Sequence, residues 1–384
     1  MSHSSSKKNL EIEFLRGFAV LLTLFSHLPL LLPHHTELIG RAFQFAMPWT
    51  GVDLFFCISG FVVSKAYFEQ FDAHRHKGTF WLAAQAFWVR RTFRLIPSAW
   101  FWVAAGLACS IWFNQTGIFG TWTQNIRSAV AVMTFSGNLA NQFGMMLHPN
   151  DVYWSLALEE QFYLLFPFFL LWCPDKWRWR LLLILIAVQF VLDRNPFGTP
   201  VSSMLNSFRL DAIMWGVLLY MFSTRQGYSQ LEPTFIKGSP AMRWLLFVVL
   251  IYLLVAIPAQ LMSMPIAVGL IALVSAAIVF LASFDAGYLP RIPLITPFLV
   301  WLGARSYGTY LLHVFAYRMT FEIWSRYAEA HGRVLDGRFT FRLVLTAVLL
   351  IVVLAQLNYR FIETPWRKRG VALARARLAT AEPQ

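Results

Sequence analysis

Apolar runs that approach the length needed to cross a bilayer recur from the start of the chain to its end. A helix needs about 20 predominantly apolar residues to span the hydrocarbon core. Ten such runs cover residues 13–32, 51–69, 95–113, 152–172, 179–193, 205–223, 243–259, 265–283, 294–320 and 341–361. The ninth is long, and we expect a break near Gly303. The pattern predicts an all-α polytopic membrane protein with about ten transmembrane helices.

Two further stretches are helical in pattern but do not read as spans. Residues 126–136 are too few to cross a membrane, so we expect an interfacial or re-entrant helix there. The polar and aromatic stretch within 70–94 is typical of an interfacial helix that leads into the third span. The chain then divides into a tail at 1–12, one membrane domain at 13–361 and a basic tail at 362–384. The first run lacks a small-x-small cleavage site and should be retained.

Composition agrees with a membrane protein and narrows the class of partner. Only 13% of the 384 residues are charged, against about 25% in soluble domains. The net charge of +13 could indicate nucleic acid binding, but the basic residues form short clusters between apolar runs. One side collects about twenty Lys and Arg, including those of both tails, and the other about six. We therefore expect cytoplasmic termini and no nucleic acid partner. The three cysteines lie in or beside apolar runs without zinc spacing, so we expect no metal site.

The first predicted helix carries two ionisable residues in the sequence "RGFAVLLTLFSH". Arg16 and His27 are eleven residues apart, which places them on nearly the same helix face and about 16 Å apart along the axis. Arg16 would lie at the cytoplasmic boundary and His27 in the outer half of the membrane. A snorkelling arginine and a hydrogen-bonded core histidine are the structural alternatives.

Two acidic positions are expected at the depth of His27. Asp53 lies near the outer start of the second run, and Glu159, followed by Glu160, lies about two turns into the fourth. Two carboxylates and an imidazole suffice for general acid–base catalysis. A carboxylate could also orient the imidazole. Hydrogen bonding between helices without any chemistry is the alternative.

The sequence "WVRRTFRLIP" places a basic cluster before the third run. Arg91 and Arg94 are one helical turn apart, and with Arg16 they could form a phosphate-binding pocket at the inner boundary. The alternative is a positive-inside cluster on lipid headgroups. The polar residues of "SFRLDAIMWG", "LGARSYGTYLLH" and "YRFIETPWRKR" are expected to be structural. Four tryptophans on the outer side are candidates for stacking on a sugar: Trp49, Trp112, Trp122 and Trp154.

These motifs together resemble the integral-membrane acyltransferase-three family, bacterial enzymes that acylate surface and secreted glycans. Seven segments carry the resemblance in order between residues 16 and 369: "RGFAVLLTLFSH", "GVDLFFCISGFVVS", "RRTFRLIP", "YWSLALEEQFYLLFP", "FRLDAIMWG", "ARSYGTYLLH" and "NYRFIETPWRKR". Any one of these segments is a weak signal, whereas seven in sequence order are a strong one.

The resemblance implies a ten-helix fold and acyl transfer from acyl-CoA, with acetyl-CoA as the expected donor. His27 would be the essential histidine and Arg16 its motif partner. Arg91 and Arg94 would match an Arg-x-x-Arg motif. Glu159 and Asp53 would match the family's two acids, at the positions after "WSL" and in Gly-Val-Asp.

The resemblance also implies a carbohydrate acceptor, a place in the bacterial cytoplasmic membrane and glycan-assembly proteins as partners. Because the tenth run is followed by only a short basic tail, we expect no C-terminal hydrolase-like domain of the kind that fused family members carry. We therefore expect any second enzyme of the pathway to be a separate chain.

Two other classes of function remain open at this stage. A polytopic transporter for a sugar or an anion would also hold buried charges near the midplane, although we find no internal repeat. A scaffold for glycan assembly is the third class. The sequence leaves open the acyl chain, the acceptor, and the choice between direct attack and an acyl-histidine intermediate.

Overall fold

The computed structural model describes residues 9–140, 142 and 147–379. Every regular element in these ranges is a helix. We number the helices of eight or more residues: α1 Leu10–Ser26, α2 Thr36–Phe43, α3 Gly51–His76, α4 Phe80–Trp112, α5 Trp122–Met133, α6 Tyr153–Trp172, α7 Asp175–Val191, α8 Asp211–Ser223, α9 Pro240–Gln260, α10 Ala267–Ser283, α11 Ile295–Ala304, α12 Ser306–Ala330, α13 Thr340–Asn358 and α14 Thr364–Ala379. Each of the ten predicted runs falls on a helix, which confirms the all-α class.

Length and composition identify four helical segments of the described chain as long and apolar enough to cross a membrane. They are Pro48–His76, Phe80–Trp112, Pro240–Gln260 and Gly337–Ala379. Helices α10 and α11 are apolar but shorter. The total of ten spans and the cytoplasmic termini stay predictions.

Helix α4 differs from its prediction because it runs unbroken for 33 residues from Phe80 to Trp112. The expected interfacial helix and the third span are one element, and Pro97 lies inside it. Proline removes one backbone hydrogen bond but the helix continues on both sides. Arg91 and Arg94 therefore lie within a rigid helix and not at its start.

The ninth run is broken, as predicted, and the break lies at Arg305 between α11 and α12. Helix α11 crosses α1 at very short range, through Gly17 on α1 and Gly303 on α11. A Cβ atom on Gly17 would lie 2.8 Å from the carbonyl carbon of Leu299, and one on Gly303 would lie 2.8 Å from that of Glu13. These two glycines let the backbones touch, and they fix α11 beside the turn of α1 that carries Arg16.

The stretch predicted as a basic tail forms helix α14 over most of its length. A π-helical turn at Tyr359–Glu363 joins it to α13. It packs along the first half of α4, where Gly370 is buried so closely that a Cβ there would lie 2.5 Å from Phe93 Cβ. Ala374, one turn later, is also buried. Helix α14 thus covers the part of α4 that carries the basic cluster.

The apolar core lies where α1, α3, α4, α6, α8 and α10 meet. Fully buried side chains from these helices include Leu15, Leu54, Phe87, Leu158 and Ile271. This packing holds α1, α3, α4 and α6 around a common space, and the candidate site lies there.

Candidate active site

A cavity of about 90 Å³ lies between α1, α3, α4, α6 and α12, and it is large enough to hold water molecules. Its charged lining is Arg16, Arg91, Arg94 and Glu159. The remaining lining mixes hydroxyl groups with apolar side chains: Ser59, Ser155, Tyr163, Ser306, Tyr307 and Tyr310, and Val52, Phe55, Phe56, Ile58, Val62, Val63, Leu95 and Leu156. Such a mixture, largely apolar with a few convergent polar groups, is typical of ligand sites.

The three predicted arginines meet in this cavity from two helices. Arg16 comes from α1, while Arg91 and Arg94 come from adjacent turns of α4. The guanidinium of Arg91 lies 4.7 Å from the ring centre of Tyr163 and 5.3 Å from that of Tyr67. Stacking of this kind orients an arginine without using its N–H donors.

The donors of this arginine cluster are only partly used inside the protein. Arg91 Nε is buried with no hydrogen-bond partner among the described residues. Arg16 Nη1 reaches Glu13 Oε1 at 3.5 Å, which is a long contact for a charged pair. Guanidinium groups with free N–H donors suit phosphate oxygens. The cluster therefore fits a ligand that carries phosphate groups.

Glu159 lies in the same cavity and accepts hydrogen bonds from the hydroxyls of Ser59 and Tyr163. Its charge is also within electrostatic reach of Arg91. The adjacent Glu160 lines a separate small cavity with Leu95 and other residues. Depth in the membrane does not distinguish the two glutamates, but the structure places only Glu159 in the lining of the arginine cavity.

Glu363, at the end of the π-helical turn, approaches the arginines from the junction of α13 and α14. It lies within electrostatic reach of Arg94 and Arg16. Asn358 donates to its Oε1 at 2.7 Å, and Trp102 donates to Asn358 at 3.1 Å. The expectation of a structural role for Glu363 beside arginines agrees with this arrangement.

His27 caps the C-terminal end of helix α1, eleven residues after Arg16, and it is not among the residues that line the cavity. Its Nδ1 is 2.9 Å from the carbonyl oxygen of Thr23 and 3.0 Å from Ser26 Oγ. On the other side it meets His313 of α12, whose Nε2 is 3.2 Å from the same Nδ1. Helix α1 carries Arg16 into the cavity, and the run predicted as one helix over 13–32 is interrupted at His27, which separates α1 from a short helix at Leu28–Leu31.

Asp53 lies away from His27, in a buried cluster with Arg209. The Arg209 guanidinium is 3.6 Å from Asp53 Oδ2, and both residues are almost completely buried. The rings of Trp49 and Trp154 lie 4.8 and 4.7 Å from the same guanidinium. One face of each tryptophan is thus occupied, so neither presents that face to a sugar.

Asp211, the first residue of α8, pairs with Arg194 at 2.7 Å. Trp112 and Trp122 are 77% and 57% exposed, and they remain free as sugar-stacking candidates.

The predicted grouping of three catalytic residues is therefore divided. Glu159 lies in the arginine cavity, Asp53 with Arg209, and His27 beside His313. Among the described residues no hydrogen bond joins His27 to either acid. The depth argument placed all three in the outer half, but it could not tell which helix faces meet.

A second polar cluster lies near His27. The Arg318 guanidinium donates to Asp151 Oδ2 at 3.1 Å, and its Nη2 lies 2.9 Å from His148 Nδ1. Burial would raise the pKa of the Asp151 carboxyl, but the His148 hydrogen bond and the Arg318 charge outweigh it and lower that pKa. Asp151 lies in the loop before α6, and both it and Arg318 are within electrostatic reach of His27.

Sequence reasoning missed the hydroxyls that hold Glu159 and the histidine that meets His27. Tyr163 follows Glu159 by four residues on a helix, so spacing could have suggested it. Ser59 and His313 lie 100 and 286 residues from their partners. Only the fold brings them together. In the described part of the chain, no group of three or more His, Cys, Asp or Glu side chains could hold a metal ion.

Comparison with known proteins identifies the family of this chain. The family described as an acyltransferase domain matches residues 9–357. The O-acetyltransferase OatA of Staphylococcus aureus (strain NCTC 8325 / PS 47) is 27% identical over 399 aligned residues, which cover 94% of this chain and 57% of OatA. OatA of strain COL gives the same identity and coverage. The chain thus spans about half the length of the curated relatives it matches. No solved structure matches.

Proposed function

Because the chain belongs to the acyltransferase-three family, we propose that it moves an acyl group from acyl-CoA to a hydroxyl of a glycan or glycoside. The expected acyl group is acetyl and the expected place is the bacterial cytoplasmic membrane. Glycan-assembly proteins are the expected partners. The observation that carries the proposal is a cavity lined by three arginines, one of which, Arg16, lies on α1 eleven residues before His27.

The donor would enter from the cytoplasmic side. Arg16, Arg91 and Arg94 would bind its phosphates, with Glu159 balancing their charge. The apolar lining, which includes Phe55 and Val62, suits the pantetheine arm. Helix α1 rises about 16 Å between Arg16 and His27, a length that an extended arm can bridge. The nucleotide end of acyl-CoA does not react, but tight binding of that end would hold the thioester in position for reaction.

His27 would then act on the acceptor. Its Nε2 takes the proton of the acceptor hydroxyl while that oxygen attacks the thioester carbonyl carbon. The new C–O bond forms, the C–S bond breaks, and the proton passes to the departing CoA sulfur. In the covalent version, Nε2 first displaces CoA and the acyl-imidazole is then attacked by the hydroxyl. Asp53 would contribute by neutralising Arg209 and so fixing the start of α3.

The competing function is transport, and one experiment separates the two. The purified full chain in nanodiscs is given acetyl-CoA, with and without a glycan acceptor, and free thiol is measured. Acceptor-dependent thiol release is expected. Flux of a sugar or anion into liposomes without thioester consumption would instead favour a transporter. Mass spectrometry of surface glycans from cells with and without the gene would identify the acyl group and its acceptor.

A further inference from the structure

Two imidazoles meet where the end of α1 packs against α12. The rings of His27 and His313 have centroids 4.9 Å apart and an interplanar angle of 63°. Nε2 of His313 lies 3.2 Å from Nδ1 of His27. His313 has no exposed surface, whereas His27 is partly exposed. A buried histidine placed against a candidate base can therefore influence it without meeting solvent itself.

The hydrogen bonds of the pair fix which nitrogens carry protons. Nδ1 of His313 is 2.6 Å from the carbonyl oxygen of Tyr310. A carbonyl only accepts, so this Nδ1 carries the proton, and Nε2 of the neutral ring keeps its lone pair. Nδ1 of His27 likewise faces the carbonyl oxygen of Thr23 at 2.9 Å. Its single N–H is therefore shared between that carbonyl and His313 Nε2, and the lone pair of His27 stays on Nε2.

We propose that His313 is the positioning residue for His27, in the role that a carboxylate has in many histidine-based sites. This inference rests on the proposed function. As His27 Nε2 takes the hydroxyl proton, positive charge spreads to its Nδ1–H, and the His313 lone pair accepts a stronger hydrogen bond. The proton then leaves Nε2 for the CoA sulfur. His313 stays neutral throughout, so no other acid is needed to return His27 to its neutral form.

The turn that carries His313 also borders the arginine cavity. Tyr310 lines that cavity, and its hydroxyl lies 2.5 Å from Ser155 Oγ and donates to the Val152 carbonyl at 3.0 Å. The Tyr310 ring centre is 5.8 Å from that of His313. One turn of α12 thus connects the cavity wall to the ring that holds His27. Helix α12 therefore connects the arginine cavity, where the donor would bind, to His27, the candidate base.

The charged groups around the pair do not replace His313. Asp151 and Arg318 are both within electrostatic reach of His27, but they carry opposite charges and bind each other. Their fields at His27 partly cancel. The direct hydrogen-bonding contacts of the His27 ring among the described residues are Thr23, Ser26 and His313, and of these only His313 contributes a nitrogen lone pair.

The test compares two substitutions that differ in polarity but are similar in size. Gln at this position can still accept the His27 N–H through its amide oxygen, whereas Leu fills the space without accepting. Both variants are made in the full chain in nanodiscs. We expect His313→Leu to lower kcat about 10- to 100-fold, with an unchanged KM for acetyl-CoA. His313→Gln should recover a large part of that loss. If the role were packing alone, Leu would perform at least as well as Gln.

A neighbouring residue on the same helix provides the control. Tyr317 donates to the Leu24 carbonyl at 3.2 Å and its ring contacts His313 edge-on. Tyr317→Phe removes one α12–α1 hydrogen bond without touching His27, so its kcat should stay close to that of the unsubstituted protein. An equal loss in Tyr317→Phe would overturn the positioning role.

A spectroscopic measurement separates this inference from the proposed function. In protein labelled with ¹⁵N-histidine, the His27 ring should show a protonated Nδ1 and a bare Nε2. We expect His313→Leu to shift or broaden the Nδ1 signal of His27, whatever the activity. Unchanged ¹⁵N shifts in His313→Leu would refute the inference. Full activity in His27→Ala would refute the proposed function. The ¹⁵N shift of His27 in His313→Leu would still show whether the two rings are hydrogen-bonded.

Discussion

Substituting Gly17 by alanine tests whether α1 holds Arg16 where the structure places it. The added Cβ would lie 2.8 Å from the carbonyl carbon of Leu299, and nearer still to its oxygen, whereas ordinary contact begins at 3.4 Å. The carbonyl carbon and oxygen of Leu299 are backbone atoms, so a change of side-chain rotamer cannot relieve the clash. Helices α1 and α11 would have to separate by about 1 Å, and such overpacking typically costs about 1–3 kcal/mol.

The same movement should damage activity more than stability. Arg16 is the residue next to Gly17 and lines the cavity. A shift of about 1 Å in a positioning group can lower a rate about 100-fold. We therefore expect Gly17→Ala to lower the melting temperature in detergent and to reduce kcat/KM for acetyl-CoA by about two orders of magnitude. Fluorescence-detected thermal melting and the thiol-release assay measure the two effects.

Two other glycines make this prediction specific. Gly303→Ala affects the same crossing from α11, and the two costs should be less than additive in the double variant. A Cβ added to Gly40, on α2, would meet no other atom within 4 Å. Gly40→Ala should therefore leave melting and activity unchanged or slightly stabilise the helix. If Gly17→Ala behaves like Gly40→Ala, the close α1–α11 crossing is wrong.

The remaining predictions concern the arginine cavity, the loop before α6 and the ion pair between α3 and α7. Arg91→Gln and Arg94→Gln should each raise the KM for acetyl-CoA about tenfold with little change in kcat, because they remove binding that is equal in ground and transition states. The pKa of Asp151 is lowered in the folded protein, so its ionised form stabilises the fold at neutral pH. This contribution is complete above the unfolded-state pKa of about 4 and is lost as the pH falls further, through the lowered folded-state pKa. The melting temperature of Asp151→Asn should accordingly be lower than that of the unsubstituted protein at neutral pH. It should also fall less as the pH is lowered. Arg178→Ala should cost about 3 kcal/mol in chemical unfolding, because it leaves Asp72 without its two-point partner at 2.9 and 3.0 Å.

The sequence predicted the helices well because apolar runs in a membrane protein are long and have few alternatives. It also predicted one helix through Arg16 and His27, whereas α1 ends at Ser26 and His27 caps it. The sequence predicted an interfacial helix within 70–94 that leads into a third span from residue 95, and the structure joins the two into one continuous helix, α4, that passes through Pro97.

The contacts between helices were beyond the sequence. Depth in the membrane placed Asp53, Glu159 and His27 at a similar level, yet depth says nothing of which faces meet. In the structure Asp53 forms an ion pair with Arg209, and His27 contacts His313. Pairing across 156 or 286 residues depends on the packing of whole helices, which no local pattern encodes.

The most direct test of the account measures donor binding and acyl transfer together in one variant. Acetyl-CoA binding and acceptor-dependent thiol release are compared for the unsubstituted chain and His27→Ala in nanodiscs. The account predicts that His27→Ala binds acetyl-CoA with unchanged affinity, through the arginine cavity, but loses acyl transfer to the acceptor. Transfer at the unsubstituted rate in His27→Ala would contradict it.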